Sequence, residues 1–531
     1  MNESTGLFAA AEVGNTVSKA DYERELDALR VQLLNLQYDL RERGFSVVLL
    51  IAGDDRPGCV NLLRNLHEWM DARYLQNHVM FGSDHADAAE RPALARYWRR
   101  LPPAGRIGLF LGGWPSSLLR AALDERWSSA EFDKALDHLS RFEKLLVDDG
   151  TLVLKFWLHL PRNVVQKRIV AARADPEKHW DFAQHDWDVI EQYDEAFDLI
   201  ERLLRRSNRV DAPWEIVEST DARYCDLRIG GAIARALSAR LSDPVPVPEK
   251  VPFVAEIDGH SLLGQLDLSL TVSADRYESE LTALQALVNQ LSHQACEAGI
   301  ACVFVFEGVD AAGKGGAIRR LARALPVQHS RVIPIGAPNE VERAHHYLWR
   351  FWMRLPKPGE IVVFDRSWYG RLLVERVEGL VPEEVQQRAF DEINEFESTL
   401  AEDRFVVCKF WLQIDKDEQL ERFSARARTP YKKYKLTPDD FRNRENWDQY
   451  QVAAHEMLAR TNTSYAPWSL IGANDKRHAR LQVLRIVADQ LTESLAEAAN
   501  TATESGRMRG KQGKKGKKGG KGKAAMKRKK K

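Results

Sequence analysis

The sequence predicts an α/β protein built from two tandem copies of one three-layer α/β/α domain, each a parallel sheet covered by helices on both faces. Three observations carry this expectation. Segments of the first half recur in the second at an offset of 254 or 255 residues. In each half, short apolar runs alternate with amphipathic helical patterns, as strands buried on both faces and their covering helices do. One apolar run, residues 300–306, opens directly into the glycine-rich stretch EGVDAAGKGG and then a helical pattern.

The repeat is legible in several places. Asp21-Tyr-Glu-Arg-Glu-Leu-Asp-Ala-Leu29 resembles Arg276-Tyr-Glu-Ser-Glu-Leu-Thr-Ala-Leu284, and Lys155-Phe-Trp-Leu158 matches Lys409-Phe-Trp-Leu412. Ala212-Pro-Trp214 matches Ala466-Pro-Trp468, and Asp221 matches Asp475. A near-constant offset marks one domain written twice. The seam, Leu241-Ser-Asp-Pro-Val-Pro-Val-Pro-Glu-Lys-Val-Pro252, has spaced prolines that favour an extended, semi-rigid linker. The expected division is a first domain over 1–240, a linker over 241–255, a second domain over 256–500 and a tail over 501–531.

In the second copy a long amphipathic helix is expected over about 276–298, followed by a strand at 300–307 and a helix after Lys314. A helical pattern follows through His345–Met353, then strands at Glu360–Asp365, Arg404–Leu412 and Trp468–Ile471. The tail is rich in Lys and Gly with little to bury, which predicts disorder.

Composition narrows the function. Apolar residues make up 44% of the 531 and charged residues 29%, an ordinary globular balance. The formal net charge of zero hides an asymmetry: eleven Lys and three Arg of the 77 basic residues lie in 507–531, leaving 63 basic against 77 acidic residues elsewhere. Five scattered cysteines without Cys-x-x-Cys spacing predict reduced thiols and argue against zinc. The N-terminal MNESTGLFAAAEVG reads as no secretory signal, and no apolar stretch is long enough to span a membrane, so a cytoplasmic protein is expected.

Three stretches carry chemistry. Gly308-Val-Asp-Ala-Ala-Gly-Lys-Gly315 fits a phosphate-binding loop of the Walker A type, lacking only the final Ser or Thr. Glycines at 308, 313, 315 and 316 let the backbone amides curl toward phosphate oxygens, and Lys314 reaches the outer phosphates. The second stretch is Phe364-Asp-Arg-Ser-Trp-Tyr-Gly-Arg371 at a strand end, the Walker B position for a Mg²⁺-coordinating carboxylate. Asp310, inside the loop, offers a second carboxylate, and two carboxylates with waters and phosphate oxygens suit Mg²⁺. Arg366 and Arg371 flank the strand end as candidate phosphate ligands. The third stretch, residues 421–435, holds six cations, Arg422, Arg426, Arg428, Lys432, Lys433 and Lys435. It reads as a helical, cationic lid closing over phosphates.

Together these stretches resemble the polyphosphate kinase 2 family. The matching residues are Gly308–Gly316, Leu355–Arg371, the lid through Pro430, Lys432 and Lys435, Trp447-Asp448, Tyr450 and Ala466-Pro-Trp468. The resemblance implies tandem P-loop kinase-like domains, and a Gly at position 315 is usual in that family. Its duplicated architecture is similar to the two-domain subgroup of polyphosphate:AMP phosphotransferases, which make ADP from AMP. It implies Asp310 and Asp365 at Mg²⁺, Lys314, Arg366 and Arg371 on the transferred phosphate, and Arg422, Arg426, Arg428 and Lys432 lining the lid. Thr429 departs from the Asp common before the proline.

Partners follow: inorganic polyphosphate with AMP and ADP, no membrane, and nucleic acid only through the basic tail. Homo-oligomerisation stays open. Alternatives on the same residues are an ATP-dependent nucleoside monophosphate kinase, a polyphosphate:ADP phosphotransferase, or a non-catalytic polyanion binder driven by the tail.

The first copy serves as an internal control. Its loop reads Gly53-Asp-Asp-Arg-Pro-Gly-Cys-Val60, with Cys59 in place of Lys314. Leu111 replaces Asp365, Gly112 replaces Arg366, Ser117 replaces Arg371, Ala172 replaces Arg426 and Asp181 replaces Lys435. Only Asp55 persists from the carboxylate pair. A catalytically silent first domain is expected, with packing as its favoured role.

Overall fold

A computed structural model describes residues 6–80, 92–124, 127–174, 193–243, 262–430 and 438–500. These fall into two units, one formed by the residues up to 243 together with 338–353, the other by 262–337 and 354–500. Most of the linker, the tail, and Lys432, Lys433 and Lys435 of the expected lid lie outside the described residues. So does Asp181.

Each unit is built on five parallel strands. In the first, β1 (Val47–Gly53), β2 (Leu75–Val79), β3 (Ile107–Leu111), β4 (Leu152–His159) and β5 (Trp214–Glu218) lie in the order β2-β3-β1-β4-β5. In the second, β6 (Cys302–Gly308), β7 (Ser330–Pro334), β8 (Ile361–Asp365), β9 (Val406–Gln413) and β10 (Trp468–Gly472) lie in the order β7-β8-β6-β9-β10. The two sheets share one topology, which is the structural counterpart of the sequence repeat.

Their central strands are apolar on both faces because helices cover both. Six of the seven residues of β1 and of β6 are buried, and all eight of β9. Phe304, Phe306, Phe410 and Leu412 meet Ala317, Ile318 and Leu321 of α7 (Lys314–Ala324) in one apolar core. In the first unit Leu49, Ile51 and Phe156 meet Cys59, Leu62 and Leu66 of α2 (Arg56–Trp69).

The recurring motifs prove to be a buried framework. Lys155 on β4 pairs at 2.7 Å with Glu143 of α3 (Ser129–Asp148) and donates to the Ser207 carbonyl at 2.6 Å. Lys409 on β9 pairs at 2.7 Å with Glu397 of α8 (Glu383–Glu402) and donates to the Thr461 carbonyl at 2.7 Å. The Trp214 and Trp468 indoles close each network by donating to the Ser207 and Thr461 hydroxyls. Buried charges demand such partners, so Lys-Phe-Trp-Leu and Ala-Pro-Trp recur for structural reasons.

Two expectations differ from the fold. Strand β7 was not read from the sequence; it lies at the sheet edge, half-exposed, with Arg and Pro in place of an apolar run. The helical pattern expected through His345–Met353 holds only a one-turn helix, Trp349–Trp352, preceded by another just outside it, Glu340–Arg343. Their apolar residues follow the packing of the first unit rather than a helical stripe: Trp352 stacks on Trp98 with ring centroids 5.5 Å apart.

Candidate active site

The central strand β6 ends between β8 and β9, and the loop that follows it opens at the carboxyl edge of the sheet, where doubly wound folds hold ligands. Gly308 has φ +139°, and a Cβ there would stand 2.2 Å from the Leu412 carbonyl oxygen. Only glycine fits this approach to β9. Ala311 has φ +64°, a conformation costly for a residue with a Cβ. Gly313, at φ +110°, caps α7. The loop thus runs through strained backbone and delivers Lys314 as the first helical residue.

Around the loop is an open pocket lined by Glu307, Gly308, Val309, Asp310 and Lys314 on one side and by Arg366, Gln419 and Asn443 on another. Leu373, Val374, Trp411, Trp447 and Tyr450 add an apolar and aromatic wall. Asp310 is held from two directions. Arg366 Nη2 lies 3.2 Å from Oδ1, and Asn443 Nδ2 donates to Oδ2 at 2.7 Å. Asn443, on α10 (Pro438–Glu445), accepts in turn from the Tyr450 hydroxyl at 3.1 Å. Burial, with Glu378 and Asp310 nearby, pushes the Tyr450 hydroxyl up, which keeps it a donor.

Lys314 folds back on its own loop, donating to the Gly308 carbonyl at 2.6 Å and the Val309 carbonyl at 3.3 Å. Burial holds its ammonium below the ordinary lysine value, against the opposing pull of Asp310. Glu307, the last side chain of β6 before the loop, is buried and accepts from Ser367 Oγ at 2.8 Å. Its pKa is raised by desolvation, which outweighs the lowering effect of Lys314. Arg366 itself adopts φ +65°, a strained turn directly after Asp365.

Asp365 ends β8 in register with Phe306, and its carboxylate accepts no hydrogen bond from the described residues. Its charge acts on Lys314 and Arg366. Hard carboxylate oxygens from Asp310 and Asp365, one of them without a hydrogen-bond donor, fit the needs of Mg²⁺, which uses few protein ligands.

Among the described residues, Asp310, Lys314, Arg366 and Gly308 of the expected set line the pocket, and Asp365, Arg371, Arg422, Arg426 and Arg428 do not. Arg371 pairs with Glu375 at 2.7 Å. Arg428 is exposed and donates to the Ser424 carbonyl, and Arg426 stands half-buried beside Arg422. Arg422 is buried and turned toward backbone carbonyls rather than outward as a lid residue. Glu307, Asn443, Gln419 and the aromatic wall were not singled out as site residues from sequence. The repeat held a signal for Glu307, since Ala52 occupies its position in the first copy.

The first unit has no such loop. Helix α2 begins at Arg56, the position of Ala311, three residues earlier than α7 begins after its own strand. Asp55, the counterpart of Asp310, caps that helix by accepting from the Gly58 amide at 3.0 Å. It also accepts from Ser219 Oγ at 2.8 Å and from Arg168 Nη1 at 2.7 Å. Cys59 is fully buried in the core.

Comparison with known proteins agrees with this duplication. The family profile of polyphosphate kinase 2 matches residues 16–243 and again 271–499. A polyphosphate:AMP phosphotransferase of Pseudomonas aeruginosa PAO1 is 43% identical over 490 residues, 91% of this chain and 98% of its own. One of Acinetobacter johnsonii is 36% identical, covering 88% and 96%. A crystal structure from Pseudomonas aeruginosa PA01, assigned to polyphosphate kinase 2, superposes with a TM-score of 0.83 at 40% identity, over 92% of this chain and 100% of that one. The chain belongs to the polyphosphate kinase 2 family and carries the family's domain twice.

Proposed function

We propose that the protein transfers the terminal phosphoryl group of inorganic polyphosphate to AMP, giving ADP, and that the second unit alone does so. The observation that carries the reading is the gathering of Lys314, Asp310 and Arg366 in one pocket of the second unit, in a chain whose full-length relatives are named polyphosphate:AMP phosphotransferases.

An AMP phosphate oxygen attacks the terminal phosphorus in line, the P–O–P bond breaks, and polyphosphate one unit shorter leaves. Both reactants are polyanions, so bringing them together is the main barrier. Loop amides at the start of α7, Lys314 and Arg366 supply the positive field, and positioning does most of the rest. Asp310, steadied by Asn443, and Asp365 would hold Mg²⁺, which would supply charge neutralisation at the phosphates. The wall of Leu373, Val374, Trp447 and Tyr450 offers a face for the nucleoside. Arg371, Arg426 and Arg428 add positive charge around the entering chain in this reading, and the Gly313 and Gly315 amides donate to its phosphate oxygens.

We place the reaction in the cytoplasm. All five cysteines are free thiols, and no helix among the described residues is long and apolar enough to cross a membrane. The test is ADP formation from AMP with Mg²⁺ and long-chain polyphosphate, with ATP as a parallel donor. Product from polyphosphate is expected; product from ATP alone would make the protein a nucleotide kinase of ordinary donor preference.

A further inference from the structure

We propose that Arg422 is a positioning residue that holds the Gly308–Gly316 loop open for phosphate, by pinning loop carbonyls on the side away from the ligand. The proposal rests on the phosphoryl-transfer reading above and assigns a role to a residue that does not line the pocket.

An arginine has five N–H donors, and every one is engaged here. Nε donates to Glu418 on its own helix α9 (Lys416–Arg428). Nη1 donates to the Ala311 and Ala312 carbonyls, both at 2.9 Å. Nη2 donates to the Ala473 and Asn474 carbonyls, at 2.7 and 2.9 Å, just past β10. One turn earlier, Gln419 Nε2 donates to the Asp310 carbonyl at 3.1 Å. Three consecutive loop carbonyls are thus bound by α9.

The consequence follows from peptide geometry. In a trans peptide the C=O and the next N–H point in opposite directions. Pulling the Ala312 carbonyl onto Arg422 turns the Gly313 amide away from it, toward the side where successive amides form an anion cradle. The Ala312 amide is taken up by the Val309 carbonyl at 3.1 Å, which tightens the turn. The left-handed Ala311 persists because its surroundings over-determine it.

The first unit shows what the same arginine does without this loop. Arg168 occupies the equivalent place on α4 (Arg162–Ala174), yet it pairs with the Asp55 carboxylate at 2.7 Å. There the loop has become the first turn of a helix, whose carbonyls are committed to intrahelical bonds. The arginine is kept, its partners change, and the cradle is gone.

The test uses the full chain with inorganic tripolyphosphate and Mg²⁺, read by titration calorimetry, alongside kcat and KM for AMP. Arg422→Lys keeps the charge but offers a compact ammonium that cannot bridge four carbonyls. It is expected to fold like wild type and to lose tripolyphosphate affinity roughly tenfold. Arg422→Ala is expected to lose roughly 100-fold in affinity and kcat, with the KM for AMP unmoved, and to regain part of both when guanidinium is added far below denaturing concentration. Wild-type affinity in either folded variant overturns the proposal. So does a folded Arg422→Ala protein that guanidinium leaves unrescued. If that variant fails to fold, the lysine variant decides. A wild-type chain whose tripolyphosphate affinity depends on Arg422 but which forms no ADP would sink the functional reading and leave the clamp standing.

Discussion

Gly53 and Gly308 adopt the same backbone, φ +147° and +139°, and in both a Cβ would lie 2.2 Å from a carbonyl oxygen of the neighbouring strand. The first glycine of the phosphate-loop pattern is therefore required by sheet packing, and it survives in a unit without the loop. The residues that line the pocket, Lys314, Asp310 and Arg366, are the ones we propose carry the chemistry. Because burial lowers the Lys314 pKa, its charge is lost as pH rises, before the ordinary lysine value of 10.5 is reached. The alkaline limb of kcat/KM for polyphosphate, which reports the free enzyme, is expected below that value, and Lys314→Arg should move it upward. A pH–rate profile checks this; a limb that does not move would assign it to another group. Asn443→Ala should release Asp310 and raise the Mg²⁺ concentration for half-maximal rate by roughly 10–100-fold, measured by metal titration of ADP formation.

At the scale of elements, the same strand-loop-helix segment was built two ways. After β6 it forms an open loop with strained backbone, and after β1 it forms a capped helix whose Pro57 sits at a position that suits proline. Restoring a lysine at Cys59 should therefore create no second site. Cys59 is fully buried, so Cys59→Lys is expected to destabilise the first unit by several kcal/mol while leaving the rate per folded chain unchanged. Denaturant melts and specific activity separate the two effects. The buried pairs behave alike in both units: Lys409→Met strands Glu397 in the interior and should cost about 3–5 kcal/mol, as should Lys155→Met beside Glu143. Replacing both partners of one pair by apolar residues should cost less than either single change.

At the scale of the whole molecule, the duplication, the parallel sheets and the loop were legible because buried strands need continuous apolar runs and a cradle needs glycines at fixed spacing. Edge strand β7 was not, since a half-exposed strand with Arg331 and Pro334 carries no such run. The lid cations were legible as charge, but charge says nothing of direction, and Arg422 points to carbonyls that only the fold brings near. Asn443 follows no motif; it matters through a contact with Asp310 across 133 residues of chain. The central claim is that the chain has one catalytic unit, the second. The direct measurement is the rate of ADP formation by Asp365→Asn beside Asp55→Asn, each checked for folding. Asp365→Asn is expected to lose activity by a factor on the order of 1,000. Asp55→Asn keeps a side chain able to cap the helix and removes the charge facing Arg168 in the first unit, so it should keep the wild-type rate. Substantial activity left in the first variant, or its loss in a folded second variant, would place chemistry in the first unit and contradict the claim.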